Sequence, residues 1–249
     1  MGGSPGPRPA FFQSDLDRLS ATFRGAADTV TVLFGMDTDG TFPAEALTFS
    51  LSGGDVVRSW PVAVPRYLHG LVPLDDSRLL ACGGLANGPD GLRAISAAEI
   101  ADVGACQSIR LADMPFATAE PLAARLPDGR ILVAGGYDDG MLVRACVLGA
   151  PGSTWRDAPS LPSPRAGATS VHLSPARILF AGGAESFEFE PHETALLLDA
   201  ASLGFERIAL ALPADCAIVD LGGGAFLTAG GRDAKGDPIA DVTLFSLAD

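Results

Sequence analysis

A short hydrophobic segment that ends in two glycines recurs along the chain and limits its fold more than any other feature. The clearest copy is RILVAGGY, at residues 130–137. With one degraded copy, in which Phe34 replaces the first glycine, there are five in all, at residues 30–36, 78–84, 130–136, 177–183 and 225–231. The first-glycine positions, 34, 83, 135, 182 and 230, are 49, 52, 47 and 48 residues apart. A period of about fifty residues of this kind is typical of β-propeller blades.

Each repeat predicts four antiparallel strands, which we name a to d from the centre of the ring outward. Strand b is the Gly-Gly strand, and strand a precedes it across a tight turn at residues 75–77, 127–129, 174–176 or 222–224. These turns contain Asp, Gly, Ser and Pro, which suit tight hairpins. Strand d carries an aromatic residue that we expect to pack between neighbouring sheets; the four are Phe12, Trp60, Trp155 and Phe205. The sequence therefore predicts an all-β fold, a single five-bladed propeller domain over residues 1–249.

The two ends of the chain complement each other in this pattern. The fifth repeat ends with its third strand, at residues 241–246, whereas a surplus segment at residues 9–18 precedes the first repeat. Phe12 precedes Arg18 by six residues, as Trp60 precedes Arg66. We therefore expect the N-terminal segment to supply the outer strand of the last blade and to close the ring, which removes exposed sheet edges. Residues 1–8 are expected to be disordered or a linker.

The charge balance excludes several partners. The net charge is −13, and only 17 residues are Lys or Arg, with Lys235 the sole lysine. Because a phosphate-binding surface needs clustered cations, we expect neither nucleic acid nor an anionic membrane as a partner. The preference for Arg over Lys, with abundant Ala, indicates a bacterial genome rich in G and C.

The compartment is predicted from segments that the sequence lacks. There is no apolar run of the roughly 18–20 residues that span a bilayer, and no signal-peptide pattern. The four cysteines, Cys82, Cys106, Cys146 and Cys216, are widely spaced, as unpaired thiols in a reducing compartment would be. We expect a cytoplasmic monomer. The alternative is a secreted or periplasmic protein whose signal peptide is absent from this sequence.

These features resemble the kelch-repeat family, which includes the central domain of galactose oxidase. The Gly-Gly strand, the strand-d tryptophans and the Pro-Arg pairs at residues 65–66 and 164–165 match that repeat over residues 9–249. The fifth copy lacks the Arg and the first lacks a glycine. Kelch rings usually have six or seven blades, so five is a departure from the family pattern.

One face of the ring is expected to carry the function. In an antiparallel meander the d–a and b–c connections emerge on the same face, and function concentrates on such loops. We predict ligand-binding residues there, namely Arg18, Arg66, Tyr67, Tyr137, Arg165 and Arg232. Arginine binds carboxylates through two parallel hydrogen bonds. The resemblance implies the same, because kelch adaptors that bind acidic peptides use arginines at the position of Arg66 and Arg165. In the alternative, these arginines only bridge blades through local carboxylates.

Two classes of function stay open. The first is a binding module for a protein, peptide or glycan, possibly an acidic one. The second is an enzyme acting on a sugar or small acidic metabolite, since Tyr67, His69 and Glu120 could exchange protons there. Some bacterial kelch proteins are sialic-acid epimerases, which is the precedent that the resemblance supplies.

No cofactor or metal is expected. Asp37 and Asp39 form only half of a calcium loop, and an Asp-Gly pair is first of all a turn. A copper site of the galactose-oxidase kind is not expected, because His69, His172 and His192 are the only histidines and are far apart in the repeats.

Overall fold

The structure is a computed structural model that describes residues 21–24, 28–37, 40–185, 194–213, 216–231, 233, 235 and 237–246. Over this part of the chain the regular secondary structure consists of 23 β-strands. Nineteen of them form five antiparallel sheets in a ring, which confirms the five-bladed β-propeller, and the other four form two small hairpins. The part of the chain described here contains no helix that could cross a membrane.

The first four blades each contain four strands. Blade 1 has β1 (Ala21–Arg24), β2 (Thr29–Leu33), β3 (Glu45–Ser50) and β4 (Val56–Pro61). Blade 2 has β5 (Gly70–Pro73), β6 (Arg78–Cys82), β9 (Ala98–Asp102) and β10 (Gln107–Arg110), and blade 3 has β11 (Leu122–Arg125), β12 (Ile131–Ala134), β15 (Cys146–Gly149) and β16 (Arg156–Ala158). Blade 4 has β17 (Thr169–Ser174), β18 (Arg177–Ala181), β19 (Thr194–Asp199) and β20 (Gly204–Ala209).

The fifth blade has three strands among the described residues. They are β21 (Ala217–Gly222), β22 (Ala225–Ala229) and β23 (Val242–Ser246). The fourth strand that the sequence assigns to residues 9–18, together with Phe12 and residues 1–8, lies outside the described residues.

Two small hairpins extend the b–c connections of the middle blades. One consists of β7 (Leu85–Gly88) and β8 (Gly91–Ala94), and the other of β13 (Tyr137–Asp138) and β14 (Met141–Leu142). Strands β8 and β13 contact each other, so the hairpins stand side by side. Their turns, GPDG at residues 88–91 and DDG at residues 138–140, contain the residues that tight hairpins prefer. From the sequence alone, both b–c connections are predicted as loops without strands of their own.

The Gly-Gly pairs allow neighbouring blades to approach closely. Gly135 and Gly136 have φ angles of +65° and +85°. A Cβ atom on Gly135 would overlap with the carbonyl oxygen of Arg165, and one on Gly136 with the hydroxyl of Thr118. The N–H of Gly136 also donates to the carbonyl of Arg165 at 2.7 Å. Both the left-handed backbone and the contact with the next blade therefore require glycine.

The hydrophobic core lies between successive blades. Trp60 is buried against Leu79 and Ala101 of blade 2. Trp155 packs on the cluster shared by blades 2 and 3, and its indole N–H donates to the carbonyl of Ala112 at 3.0 Å. Phe205 packs on the cluster shared by blades 3 and 4. The three described strand-d aromatics thus lie between sheets, as the sequence predicts.

Candidate functional site

Three d–a connections meet at the inner edge of the ring, where β11 contacts both β5 and β17. Leu68, Glu120 and Gly167 occupy equivalent positions just before these strands. The N–H of Glu120 donates to the carbonyl of Leu68 at 2.6 Å, and the N–H of Gly167 donates to the carbonyl of Glu120 at 2.9 Å. This chain of hydrogen bonds links blades 2, 3 and 4 and fixes the backbone at the mouth of the central channel.

Glu120 adopts an unusual backbone conformation at this point. Its φ is +50°, a region that side chains other than glycine rarely adopt; Leu68 has +54°, and only Gly167 meets the requirement without strain, at +71°. The carboxylate of Glu120 lies beside Gly167, where an added Cβ would be 3.1 Å from Oε2. Strained residues that neighbouring structure holds in place cluster at functional sites.

Both tyrosines of the chain lie next to Glu120. Tyr137 pairs with Ala119 through two backbone hydrogen bonds of 2.8 Å, so it lies opposite the residue before Glu120. Tyr67 immediately precedes Leu68, whose carbonyl accepts the N–H of Glu120. Burial, followed by the charge of Glu120 and the phenol of Tyr67, raises the pKa of Tyr137 to about 12. We call Tyr67, Glu120 and Tyr137 the channel-mouth site.

The ring of Tyr67 is held by a second aromatic side chain. It stacks on buried Phe42, with 5.1 Å between the ring centroids and 27° between the ring planes. Because Phe42 belongs to the b–c connection of blade 1, the site receives support from four blades. Sequence reasoning missed Phe42, since an aromatic residue in a variable loop has no repeat counterpart to mark it.

Arg66 lies inside the protein and bridges parts of its own blade. Its side chain is 0% exposed, and its Nη2 donates to Oε1 of Glu99 at 3.0 Å. Its Nη1 donates to the carbonyls of Gly83 at 2.9 Å and Ala97 at 2.7 Å. Burial lowers the pKa of Arg66, and Glu99 opposes this shift. The pairing with a local carboxylate agrees with the alternative to ligand binding given above, except that it joins parts of one blade and does not bridge two.

Arg165 repeats the arrangement two blades further along, in blade 4. Its fully buried guanidinium donates to the carbonyls of Gly182 at 2.8 Å and Thr194 at 3.0 Å, and to Glu185 at 2.5 Å. In blade 3 the same position is occupied by Thr118, whose hydroxyl donates to the carbonyl of Gly135 at 2.7 Å. Each of the three side chains satisfies the carbonyl of the first glycine in a Gly-Gly pair. Neither arginine therefore contributes an exposed charge to the channel-mouth site.

The other predicted residues are Arg18, Arg232 and His69. Arg18 and Arg232 lie outside the described residues. Both ring nitrogens of His69 are enclosed and lack a hydrogen-bond partner, although part of the residue reaches solvent. Its ring packs edge-on against Phe34, with 4.8 Å between centroids. Burial, and then the charge of Arg66, lowers the pKa of His69 to about 3, so the imidazole is neutral at physiological pH and is poorly placed to exchange protons with a ligand.

The two hairpins form a raised border beside the channel-mouth site. Tyr137 is the first residue of β13, so the site and the border share a strand. Leu92 and Met141 are exposed on the hairpins, and the neighbouring exposed acids are Asp90, Asp138 and Asp139. Exposed Arg93 lies on β8 as well, so a surface with three acids, one base and two apolar side chains adjoins the site.

The acidic loop of blade 1 is organised as a turn. The carboxylate of Asp37 accepts the N–H of Thr41 at 2.8 Å and also the hydroxyl of Thr41. The N–H of Gly40 donates to the carbonyl of Asp37 at 3.0 Å. Asp39 lies outside the described residues, and among the residues that are described no group of three or more His, Cys, Asp or Glu side chains could hold a metal ion.

Comparison with known proteins shows the fold and nothing finer. No protein-family model matches the sequence, and no curated protein matches it in sequence. Among solved structures the chain is similar to the structure of YjhT, with a TM-score of 0.65 and 14% sequence identity over 87% of this chain and 73% of that chain. At this identity the similarity shows the fold alone, so the resemblance to kelch repeats stays a prediction. The chain is a five-bladed β-propeller.

Proposed function

We propose that this propeller is a binding module whose ligand lies at the channel-mouth site of Tyr67, Glu120 and Tyr137. The observation that carries the proposal is that backbone hydrogen bonds between blades bring these three residues together around a glutamate with a φ of +50°. Propellers as a class bind ligands or catalyse reactions on such faces, and loops held by a rigid scaffold are where function concentrates.

The charges around the site favour a neutral or cationic ligand over the acidic one that exposed arginines would suit. Arg66 and Arg165 are enclosed and paired with Glu99 and Glu185. The adjoining hairpins carry exposed aspartates. A protein or peptide would contact the hairpin border as well as the channel mouth, whereas a glycan would fit the mouth alone.

A second candidate function is acid–base catalysis on a sugar, and the pairing of Tyr137 with Glu120 favours it. A phenol with a pKa of about 12 keeps its proton, and a carboxylate beside it could accept one. The test is proton exchange in D2O followed by NMR on N-acetylated amino sugars and related acids. Deuterium incorporation that Glu120→Gln abolishes would support catalysis, whereas unchanged spectra would leave the binding module.

The binding proposal is tested by a thermal-shift screen of the full chain with sugars, basic and acidic peptides, amines and acidic metabolites. We expect at least one class to raise the melting temperature of the wild type, and Tyr67→Leu or Tyr137→Leu to remove that rise. Asp76→Asn is the control, because Asp76 is exposed in the a–b turn of blade 2, on the opposite face. Shifts that survive both tyrosine substitutions would place the ligand elsewhere and overturn the proposal.

A further inference from the structure

The channel-mouth site combines aromatic faces with a carboxylate. The chain contains only two tyrosines, and both belong to the site. The ring of Tyr67 is held by its stack on Phe42, with centroids 5.1 Å apart. Ring faces attract cations through their quadrupole, and quaternary ammonium groups are the ligands that aromatic cages with a nearby carboxylate suit best.

The electrostatics of the site oppose an anion. The charge of Glu120 is the second cause, after burial, of the high pKa of Tyr137, which means that negative charge on the phenol is disfavoured there. A carboxylate ligand at the same place would experience the same repulsion. The nearby guanidinium of Arg66 is fully buried and bonded to Glu99, so it does not present a charge to the mouth of the channel.

The net charge of the protein and the acids of the two hairpins also favour a cationic ligand. The chain has a net charge of −13. Exposed aspartates at residues 90, 138 and 139 lie on the hairpins that border the site. Exposed Arg93 on β8 offsets one of these charges, and the balance of the two hairpins remains negative. A face with an excess of one charge sign raises the local concentration and the association rate of ligands of the opposite sign.

We infer that the ligand of the channel-mouth site is an organic cation, a quaternary or protonated amine with an apolar body, held against the rings of Tyr67 and Tyr137 with Glu120 as its counter-charge. The inference rests on the proposed binding function and narrows it to one ligand class. It reverses the expectation of an acidic ligand, because the arginines that suggested that ligand are internal.

The test compares choline with 3,3-dimethylbutan-1-ol, which has the same shape without the charge. Isothermal titration calorimetry with the full chain in 20 mM and 150 mM NaCl should show choline binding at least about tenfold more tightly than the neutral isostere, and more weakly at the higher salt. Tyr67→Leu and Tyr137→Leu should abolish binding. Glu120→Gln should weaken it by about tenfold, whereas Tyr137→Phe, which keeps the ring, should change it by less than about threefold.

Three outcomes would overturn the inference. Choline that binds no better than the isostere, or fails to bind, excludes a cation site. Choline binding that Glu120→Gln and Tyr67→Leu leave unchanged excludes this location. In either case, a neutral glycoside or an acidic compound whose thermal shift disappears in Tyr67→Leu would preserve the binding function with a different ligand. If Tyr67→Leu changes the thermal shift of no compound, the proposed function fails as well.

The control is Asp76→Asn, which removes one negative charge from the opposite face. It should leave choline affinity within about twofold of the wild type at 150 mM NaCl.

Discussion

Blades 3 and 5 are built from the same repeat but differ in burial. In blade 3 every residue of the b strand, β12, and of the c strand, β15, is buried. In blade 5 only one side of the sheet is buried, where Phe226 and Phe245 stack 4.9 Å apart next to blade 4. The other side exposes Val219, Leu221, Val242 and Leu244, the last two at 67% and 63%.

The difference shows that the repeat specifies the sheet, whereas its neighbours decide which residues become core. Leu148 and Leu244 have equivalent positions, each paired with the leucine three residues before the first glycine of its Gly-Gly pair. Leu148 is 8% exposed and Leu244 is 63% exposed. A blade is stable when both of its sides are covered, because a single sheet with one apolar side in water gains only half of the available burial.

The largest expected effect concerns the fourth strand of blade 5, which the sequence assigns to residues 9–18. If residues 9–18 complete that blade, deletion of residues 1–18 removes about five ladder hydrogen bonds of roughly 1 kcal/mol each and should lower the melting temperature sharply. Deletion of residues 1–8 alone, the expected linker, should have no effect. Thermal unfolding of the two truncated chains measures this, and a chain without residues 1–18 that melts like the full chain would disprove closure by the N-terminal segment.

A glycine pair tests the contact between blades directly. Gly135 and Gly230 both have a φ of +65° and are equivalent in their repeats. A Cβ on Gly135 would overlap with the carbonyl oxygen of Arg165, whereas one on Gly230 would lie 3.7 Å from the carbonyl oxygen of Ile239. We expect Gly135→Ala to cost about 4 kcal/mol and Gly230→Ala about 1 kcal/mol, the strain of a left-handed alanine. Urea denaturation measures both, and equal costs would mean that the blade contact contributes nothing.

The two leucines give the next largest effect. Leu148→Ala should destabilise the protein by about 3 kcal/mol, since it leaves a cavity between blades 3 and 4. Leu244→Ala should change stability by less than about 0.5 kcal/mol, as exposed positions do. A large cost for Leu244→Ala in urea denaturation would show that this side of blade 5 is covered in solution.

The junction between blades 1 and 2 should make stability depend on pH, because it encloses His69. The folded-state pKa is lowered to about 3 from 6.5, so below pH 6.5 the unfolded chain binds a proton that the folded chain does not. The contribution of neutral His69 to the free energy of unfolding is fully present above pH 6.5. It decreases as the pH falls below 6.5, by about 2 kcal/mol at pH 5. His69→Leu should flatten this part of the stability curve, measured by urea denaturation from pH 7 to pH 5. A slope that persists in the variant would assign it to other groups.

The smallest effect concerns backbone strain at the channel mouth. Glu120→Gly should be more stable than Glu120→Ala by about 0.5–1 kcal/mol, because glycine relieves the strain of a φ of +50°. Leu68, with a φ of +54°, supplies the matched pair of variants at a position without a carboxylate. If alanine is as stable as glycine at position 120 in thermal unfolding, the strain there is negligible.

The sequence by itself determined the fold, because the spacing of the Gly-Gly strands sets the number of blades and the turn residues set the hairpins. It also predicted the face and the three residues from which the proposed channel-mouth site is built. Strand order predicts that Tyr67, Glu120 and Tyr137 share a face with other loop residues, since successive antiparallel strands place their connections alternately on the two faces.

Only the tertiary structure decided what the arginines do and how Glu120 is held. The sequence around Arg66 and Arg165 would be the same whether these residues bound a ligand or an internal glutamate. Which of the two they bind depends on acceptors from distant strands, such as Glu99 and the carbonyl of Gly83. The positive φ of Glu120 arises from hydrogen bonds to two neighbouring blades, which no local sequence signal encodes. Repeats fix what successive blades share, whereas long-range contacts fix the burial and charge of the residues that differ.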